Sequence, residues 1–348
     1  MVIADIVRPA GTQRRHRIIE LRVAGLVLCA ASLLGVVVIS VAVGAKPIPL
    51  GDVVQALVPG SGAGERAVIA ELRLPRTVLG VAVGSALAVA GVLMQALTRN
   101  PLADPGILGI NMGASAAVVA AVWLWHFTSL ESYVWFAFVG AGLVSVLVYL
   151  LGSRGRSGAT PVRLALAGTA VSAVLGSAVS AVTLLNPGVF DEFRFWGVGS
   201  LSGVQMPTVS QVLPFLAAGL ALALGLSGAL NALGLGDESA VALGSNVART
   251  RRLGAVAITL LCGAATAVAG PIGFIGLVIP HAVRAVAGTD HRWVLPYALL
   301  LGPVLLLAAD VVGRIITGQG EVQVGIVTAF VGAPVFIFLT RRRRIPEL

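Results

Sequence analysis

Ten stretches of mostly apolar residues constrain this chain more than any other feature. They are 23–44, 77–97, 107–125, 133–151, 163–185, 208–227, 253–269, 272–287, 293–316 and 323–340. A helix that crosses a bilayer needs roughly 20 consecutive apolar residues. The eighth stretch fits least well, being short and carrying His281 and Arg284. Composition agrees with membrane residence. Charged residues make up 11% of the chain, against roughly 25% in soluble domains, and the mean hydropathy is +0.97. The expected fold is an all-α polytopic membrane protein with about ten transmembrane helices.

No sequence repeat, low-complexity linker or soluble domain interrupts the pattern. Residues 1–22 read as a tail, 23–340 as one transmembrane domain and 341–348 as a second tail. Arg14, Arg15 and Arg17 before an apolar run resemble a signal peptide. However, Val23–Val43 is longer than a signal core and long enough to span, so it reads as a retained first helix. The 43 glycines suit helices whose backbones approach closely, with Gly80/Gly84 and Gly109/Gly113 as small-residue pairs. Cys29 and Cys262 each lie inside an apolar run and read as packing residues. Neither a disulfide nor a metal site is expected, and no cofactor is implied.

The formal charge of +9 would suggest nucleic acid in a soluble protein. Here the arginines flank the apolar stretches, so membrane topology explains them and no nucleic-acid partner is expected. Ten spans put both termini on one side. With that side cytoplasmic, eighteen of the 24 Lys and Arg residues fall inside. The six outside are Lys46, Arg66, Arg73, Arg76, Arg194 and Arg314. This obeys the positive-inside rule.

Gly228–Arg252 is a polar island between apolar runs and is expected to be cytoplasmic. Glycines at 234, 236 and 244 divide it. Asp237, Glu238 and Ser239 can open a helix, because acids suit a first turn. Leu235, Ala240 and Leu243 would then line one apolar face. The expected structure is one or two short helices presenting that face to a partner; an ordinary solvated loop is the plain alternative.

Arg73 and Arg76 lie in ELRLPR, just before the second span and on the outer side. Interfacial snorkelling would explain them. So would docking of an acidic partner, since the arginine fork matches carboxylates. Asp310 and Arg314 stand one helical turn apart and can pair on one face. Asn100-Pro101 and Asp104-Pro105 favour a tight turn in RNPLADPG. Glycines 270, 273 and 276 with Pro271 and Pro280 imply an interrupted helix. Such breaks are tolerated in membranes where protein or a wet cavity covers the freed backbone groups. Trp196, in FRFWGVGSLSG, reads as an interfacial aromatic anchor in an outer loop, with substrate contact as the alternative. His281, with no second His or Cys nearby, reads as structural.

Several long motifs, in order, resemble the membrane permeases of iron–siderophore, haem and vitamin B12 ABC importers. RLPRTVLGVAVGSALAVAGVLMQALTRNPLADPGILGINMGA at 73–114 is similar to that family's longest signature, and FWGVGSL at 195–201 to its W-x-x-G-S motif. LNALGLGDESAVALG at 230–244 resembles its coupling segment. GPIGFIGLVIPHAVR at 270–284, ADVVGR at 309–314 and GIVTAFVGAPVFIFL at 325–339 complete the set. Gln323 departs from the proline usual in the family before the last string.

The resemblance implies a permease subunit in the cell membrane that pairs with a second copy or a paralogue. It implies ATP-binding cassette ATPase subunits docked on Leu235, Gly236, Asp237, Glu238, Ser239, Ala240, Leu243 and Gly244. It also implies an extracytoplasmic substrate-binding protein whose glutamates meet Arg73, Arg76 and Arg314, and a cytoplasmic gate in the 154–163 loop near Thr160. The single lysine, Lys46, precludes a Walker A loop in this chain, so hydrolysis belongs to another polypeptide. An ion-coupled secondary transporter is the alternative, and needs titratable groups at the bilayer midplane. Only Asp310 is offered, near a helix end. A membrane-embedded enzyme is disfavoured, since no nucleophile–base pair is visible.

Overall fold

The computed structural model describes residues 10–44, 68–154, 161–316 and 320–341, and these contain helices but no strand. The chain opens with α1 (Ala10–Ala42). A π-helical turn (Val68–Arg73) leads into α2 (Leu74–Thr98). A 3₁₀ turn (Pro105–Leu108) precedes α3 (Ile110–Trp125), α4 (Leu130–Ser153) and α5 (Pro161–Leu185). Then come α6 (Pro187–Val198), α7 (Met206–Gly225), α8 (Ser227–Gly234) and α9 (Asp237–Ala242). The last four are α10 (Val247–Ala269), α11 (Ile275–Ala287), α12 (His291–Ile315) and α13 (Val324–Arg341).

Seven of the described helices are long and apolar enough to cross a membrane; they include α1, α2, α12 and the helix at each of the fourth to seventh expected spans. Three shorter apolar helices, at Ile110–Trp125, Ile275–Ala287 and Val324–Phe338, stand at the other three expected spans. The shortness of α11 has a local cause. The backbone leaves helical geometry at Gly270–Phe274, where the breakers of GPIGF lie, and α11 begins only at Ile275.

α2 is the central helix, with 83% of its span buried, whereas α5 buries only 6% and leaves its apolar surface for lipid or another subunit. α12 packs on α2 in the opposite direction. A Cβ on Gly84 would lie 2.5 Å from Pro303 Cα, and one on Gly302 would lie 2.2 Å from the Gly84 carbonyl. The two backbones therefore touch where only glycine fits. On another side of α2, a Cβ on Gly91 would meet the Gly276 carbonyl of α11 at 2.0 Å. Such close approach compensates for the missing hydrophobic drive between helices in lipid.

Three details differ from the sequence reading. FRFWGVGSLSG is not simply a loop, because α6 runs to Val198; Pro187 at its start supplies a preset helical φ. Trp196 is no interfacial anchor. It is buried, donates from Nε1 to the Ala267 carbonyl at 3.2 Å and stacks edge-on with Tyr133. α1 begins at Ala10, inside the expected tail of 1–22, since helix can continue past the apolar run. The turn at RNPLADPG forms as expected, with Asp104 accepting from the Gly106 N–H at 2.8 Å. His281 donates from Nε2 to the Pro101 carbonyl at 3.0 Å, a structural role.

Candidate functional site

The two ends of the α2–α12 pair carry the polar side chains. At one end, the structure brings Arg73, Arg76 and Arg314 together. Pro75 sets the first turn of α2, so Arg76 stands on that turn, while Arg73 closes the π-helical turn as the N-cap of α2. Arg73 Nη1 donates to the carbonyls of Val41 and Ala42, both at 2.7 Å. Arg314 Nη1 donates to the carbonyls of Ser40 at 2.8 Å and Val43 at 2.7 Å. The last carbonyls of α1 have no intrahelical N–H partner and carry the negative end of its dipole. Two arginines from other helices therefore cap α1. Ser40 Oγ shares a hydrogen bond with Thr77 Oγ1 at 2.9 Å and accepts from Arg314 Nη2 at the same distance.

Asp310 is the hub of this end and is 1% exposed. It pairs with Arg314 at 2.8 Å, one turn along α12, and with Arg76 Nη2 at 2.8 Å across the helix interface. Arg76 Nη1 points the other way and grips both oxygens of Glu321, at 3.0 and 2.8 Å. Ser202 Oγ donates to Glu321 Oε2 at 2.7 Å. Burial by itself raises the Glu321 carboxyl, but the Ser202 hydroxyl and the Arg76 charge overcome it and hold Glu321 below the usual glutamate range. Arg76 and Glu321 line a cavity of about 830 Å³ with Glu71, Ser202, Gln205 and Met206. Arg73 and Arg314 touch the same cavity but are buried, 7% and 6% exposed. All three arginines are already engaged within the chain.

At the opposite end, α8 and α9 form the expected pair of short helices, and α9 starts at Asp237. Gly236 joins them at φ +107°, a conformation that side chains resist. Leu235 and Leu243 are 67% and 65% exposed and Val241 is exposed beside them. Ala240 does not belong to that face; it is fully buried, because it turns toward the bundle from the middle of α9. Asp237 anchors the segment. It pairs with Arg99 at the end of α2 and accepts from Arg251 Nη2 of α10 at 3.2 and 3.0 Å. Arg99 Nε donates to the Leu233 carbonyl at 3.1 Å. Glu238, Ser239 and Gly244 are exposed. Thr160 lies outside the described residues.

Sequence reasoning missed Glu321, which reaches Arg76 across 245 positions, and Ser202, which reaches Glu321 across 119. It also missed Asn231, on α8, which holds the start of α12. The Asp290-His291 pair was the available signal, since Asp before a helical run is an N-cap. Among the described residues no group of three or more His, Cys, Asp or Glu could hold a metal ion.

Residues 32–342 match the model of the FecCD transport family. The ferric enterobactin transport system permease protein FepD of Escherichia coli (strain K12) is 50% identical over 306 residues, which is 88% of this chain and 91% of the relative. The Fe(3+)-citrate import system permease protein YfmD of Bacillus subtilis (strain 168) is 45% identical, with the same coverage. A solved metal-chelate type ABC transporter, in an inward-facing conformation, superimposes with a TM-score of 0.80 at 28% identity, covering 90% of this chain and 98% of that one. A bundle built around α2 and α12, with these motifs in order and a family match over nearly its whole length, belongs to the FecCD transport family.

Proposed function

We propose that the chain is the permease subunit of an ABC importer that moves a ferric siderophore, or a related haem or cobalamin-type chelate, inward across the cell membrane. The α8–α9 end faces the cytoplasm with both termini, and the Arg76–Asp310–Glu321 end faces outward. ATPase subunits seat on Leu235, Gly236, Asp237, Glu238, Ser239, Leu243 and Gly244, with Ala240 supporting the segment from within. A substrate-binding protein docks around Arg73, Arg76 and Arg314. A second permease copy or paralogue completes the pathway, and Thr160 approaches its mate at a cytoplasmic gate. Cysteines at position 160 that never cross-link in any nucleotide state would exclude that gate.

The observation that carries the reading is the pairing of two features at opposite ends of one rigid helix pair. One is an exposed leucine face held by Asp237. The other is a buried ion-pair hub opening on a cavity. Names of relatives support an iron chelate as cargo, since FepD is a ferric enterobactin permease and YfmD an Fe(3+)-citrate permease. The test is ATPase stimulation of the reconstituted complex against a panel of ferric siderophores, haem and cobalamin, each presented on the binding protein. Stimulation by a ferric siderophore is expected. A complex that assembles but responds to none of them contradicts the substrate class.

A further inference from the structure

One side chain joins α8 to the start of α12. Asp290 is the N-cap of α12 and accepts from the Arg292 N–H at 3.0 Å. Asn231 Nδ2 donates to Asp290 Oδ1 at 2.6 Å. Asn231 Oδ1 accepts from the His291 backbone N–H at 2.8 Å and from His291 Nδ1 at 2.9 Å. An amide oxygen only accepts, so His291 carries a proton on Nδ1. Donation to Asp290 in turn fixes which way the Asn231 amide points. Both polar atoms of this one side chain are thus committed to the N-cap and the first residue of α12, and His291 is buried beneath them.

A second link runs beside it. Arg99 ends α2 in a left-handed conformation, φ +48°, that non-glycine residues rarely adopt. From there it reaches the Leu233 carbonyl and Asp237. The short α8–α9 segment is therefore tied by directional bonds to the near ends of both α2 and α12. Those two helices meet backbone to backbone at Gly84 and Gly302, and their far ends carry Arg76 and Asp310. His291 and Asp310 lie 19 residues apart along α12, so the distance bridged is roughly 29 Å at about 1.5 Å per residue.

We infer that Asn231 is a positioning residue that transmits displacement of the α8–α9 segment to α12, and through the α2–α12 pair to the Arg76–Asp310 hub at the other end. The inference rests on the reading that ATPase subunits seat on α8–α9. Apolar contact alone lets one helix slide over another. Three hydrogen bonds with fixed donor and acceptor roles hold register and angle. His291, which receives two of the three, is buried, and this limits their replacement by water. A push on α8 is then delivered to α12 as a movement of the whole helix.

The test exchanges donor and acceptor. N231D sets a second carboxylate against Asp290. N231D/D290N returns one amide and one carboxylate to the pair, now reversed, and keeps a good N-cap, since Asn caps about as well as Asp. Basal ATPase activity, stimulation by the loaded binding protein, and subunit assembly are measured on the full complex. Wild-type complex that assembles without any stimulation would strike the functional reading itself, not the role of Asn231. With wild-type stimulation present, N231D is expected to assemble and keep basal hydrolysis, while stimulation falls about fivefold or more, the scale of ordinary coupling between sites. N231D/D290N is expected to recover it. Stimulation unchanged in N231D, or not recovered by the exchange, overturns the inference. Should N231D not assemble, N231A takes its place, and full stimulation in N231A likewise overturns it.

Discussion

Arg76 of α2 and Asp310 of α12 meet at 2.8 Å, although 234 positions separate them in sequence. The contact closes one end of the central helix pair and neutralises a carboxylate that also holds Arg314. Charges inside a membrane protein are costly unless partnered, and removing one member of a buried pair leaves the other uncompensated.

Asp310→Ala should therefore destabilise the bundle by about 3–5 kcal/mol, the usual cost of orphaning a buried charge. Thermal unfolding of the detergent-solubilised protein measures this. A Tm equal to that of the wild type would show that the hub contributes nothing to stability.

Docking of a binding protein has to reckon with Glu321, which already occupies the cavity side of Arg76. A partner carboxylate can bind Arg76 bidentately only by replacing it. Glu321→Gln is expected to tighten docking several-fold, whereas Arg76→Glu sets a second carboxylate against buried Asp310 and should lower Tm as well as abolish uptake. Binding-protein titration on reconstituted complex reads the first, and uptake together with thermal unfolding reads the second. Weaker docking in Glu321→Gln would mean that Glu321 helps the partner instead of competing with it.

The pH dependence follows from the same pair. Glu321 has a depressed pKa in the folded state, so its contribution is present above the ordinary glutamate value of about 4.3 and is lost as pH falls through the lower folded value. The Glu321 effect on docking should then be flat from about pH 6 to 8. A wild-type minus Glu321→Gln difference that titrates in that window would require another group.

At the other end, Leu235→Arg and Leu243→Arg should each block co-purification of the ATPase while leaving membrane insertion intact, because both leucines are exposed. Ala240→Arg is different in kind. That site is fully buried, so the substitution forces a charge into packed protein and should lower expression and Tm. Full ATPase retention by both leucine variants would remove α8–α9 as the seat.

The apolar stretches made the spanning helices legible in the sequence, because lipid rewards length and composition directly. Asp237 opening α9 was legible too, since the first turn of a helix favours acids. The surroundings of the three arginines were not legible. Charge counting locates Arg73 and Arg314 on a side of the membrane, yet says nothing of the α1 carbonyls that bind them. Ala240 was assigned to the wrong face because a six-residue helix has too few turns for periodicity to fix its orientation. Glu321 was invisible because its partners are distant in sequence and it sits in no repeating pattern, and for Asn231 only the N-cap signal of its partner Asp290 could be read.

The most direct test is uptake by proteoliposomes that contain the permease, its ATPase and its binding protein. Radiolabelled ferric siderophore is supplied outside, and ATP is sealed on the side that the ATPase faces. Accumulation is expected only with hydrolysable ATP and binding protein, and it should be unaffected by a protonophore. Uptake that proceeds without ATP and collapses with the proton gradient would contradict an ABC importer and identify an ion-coupled carrier instead.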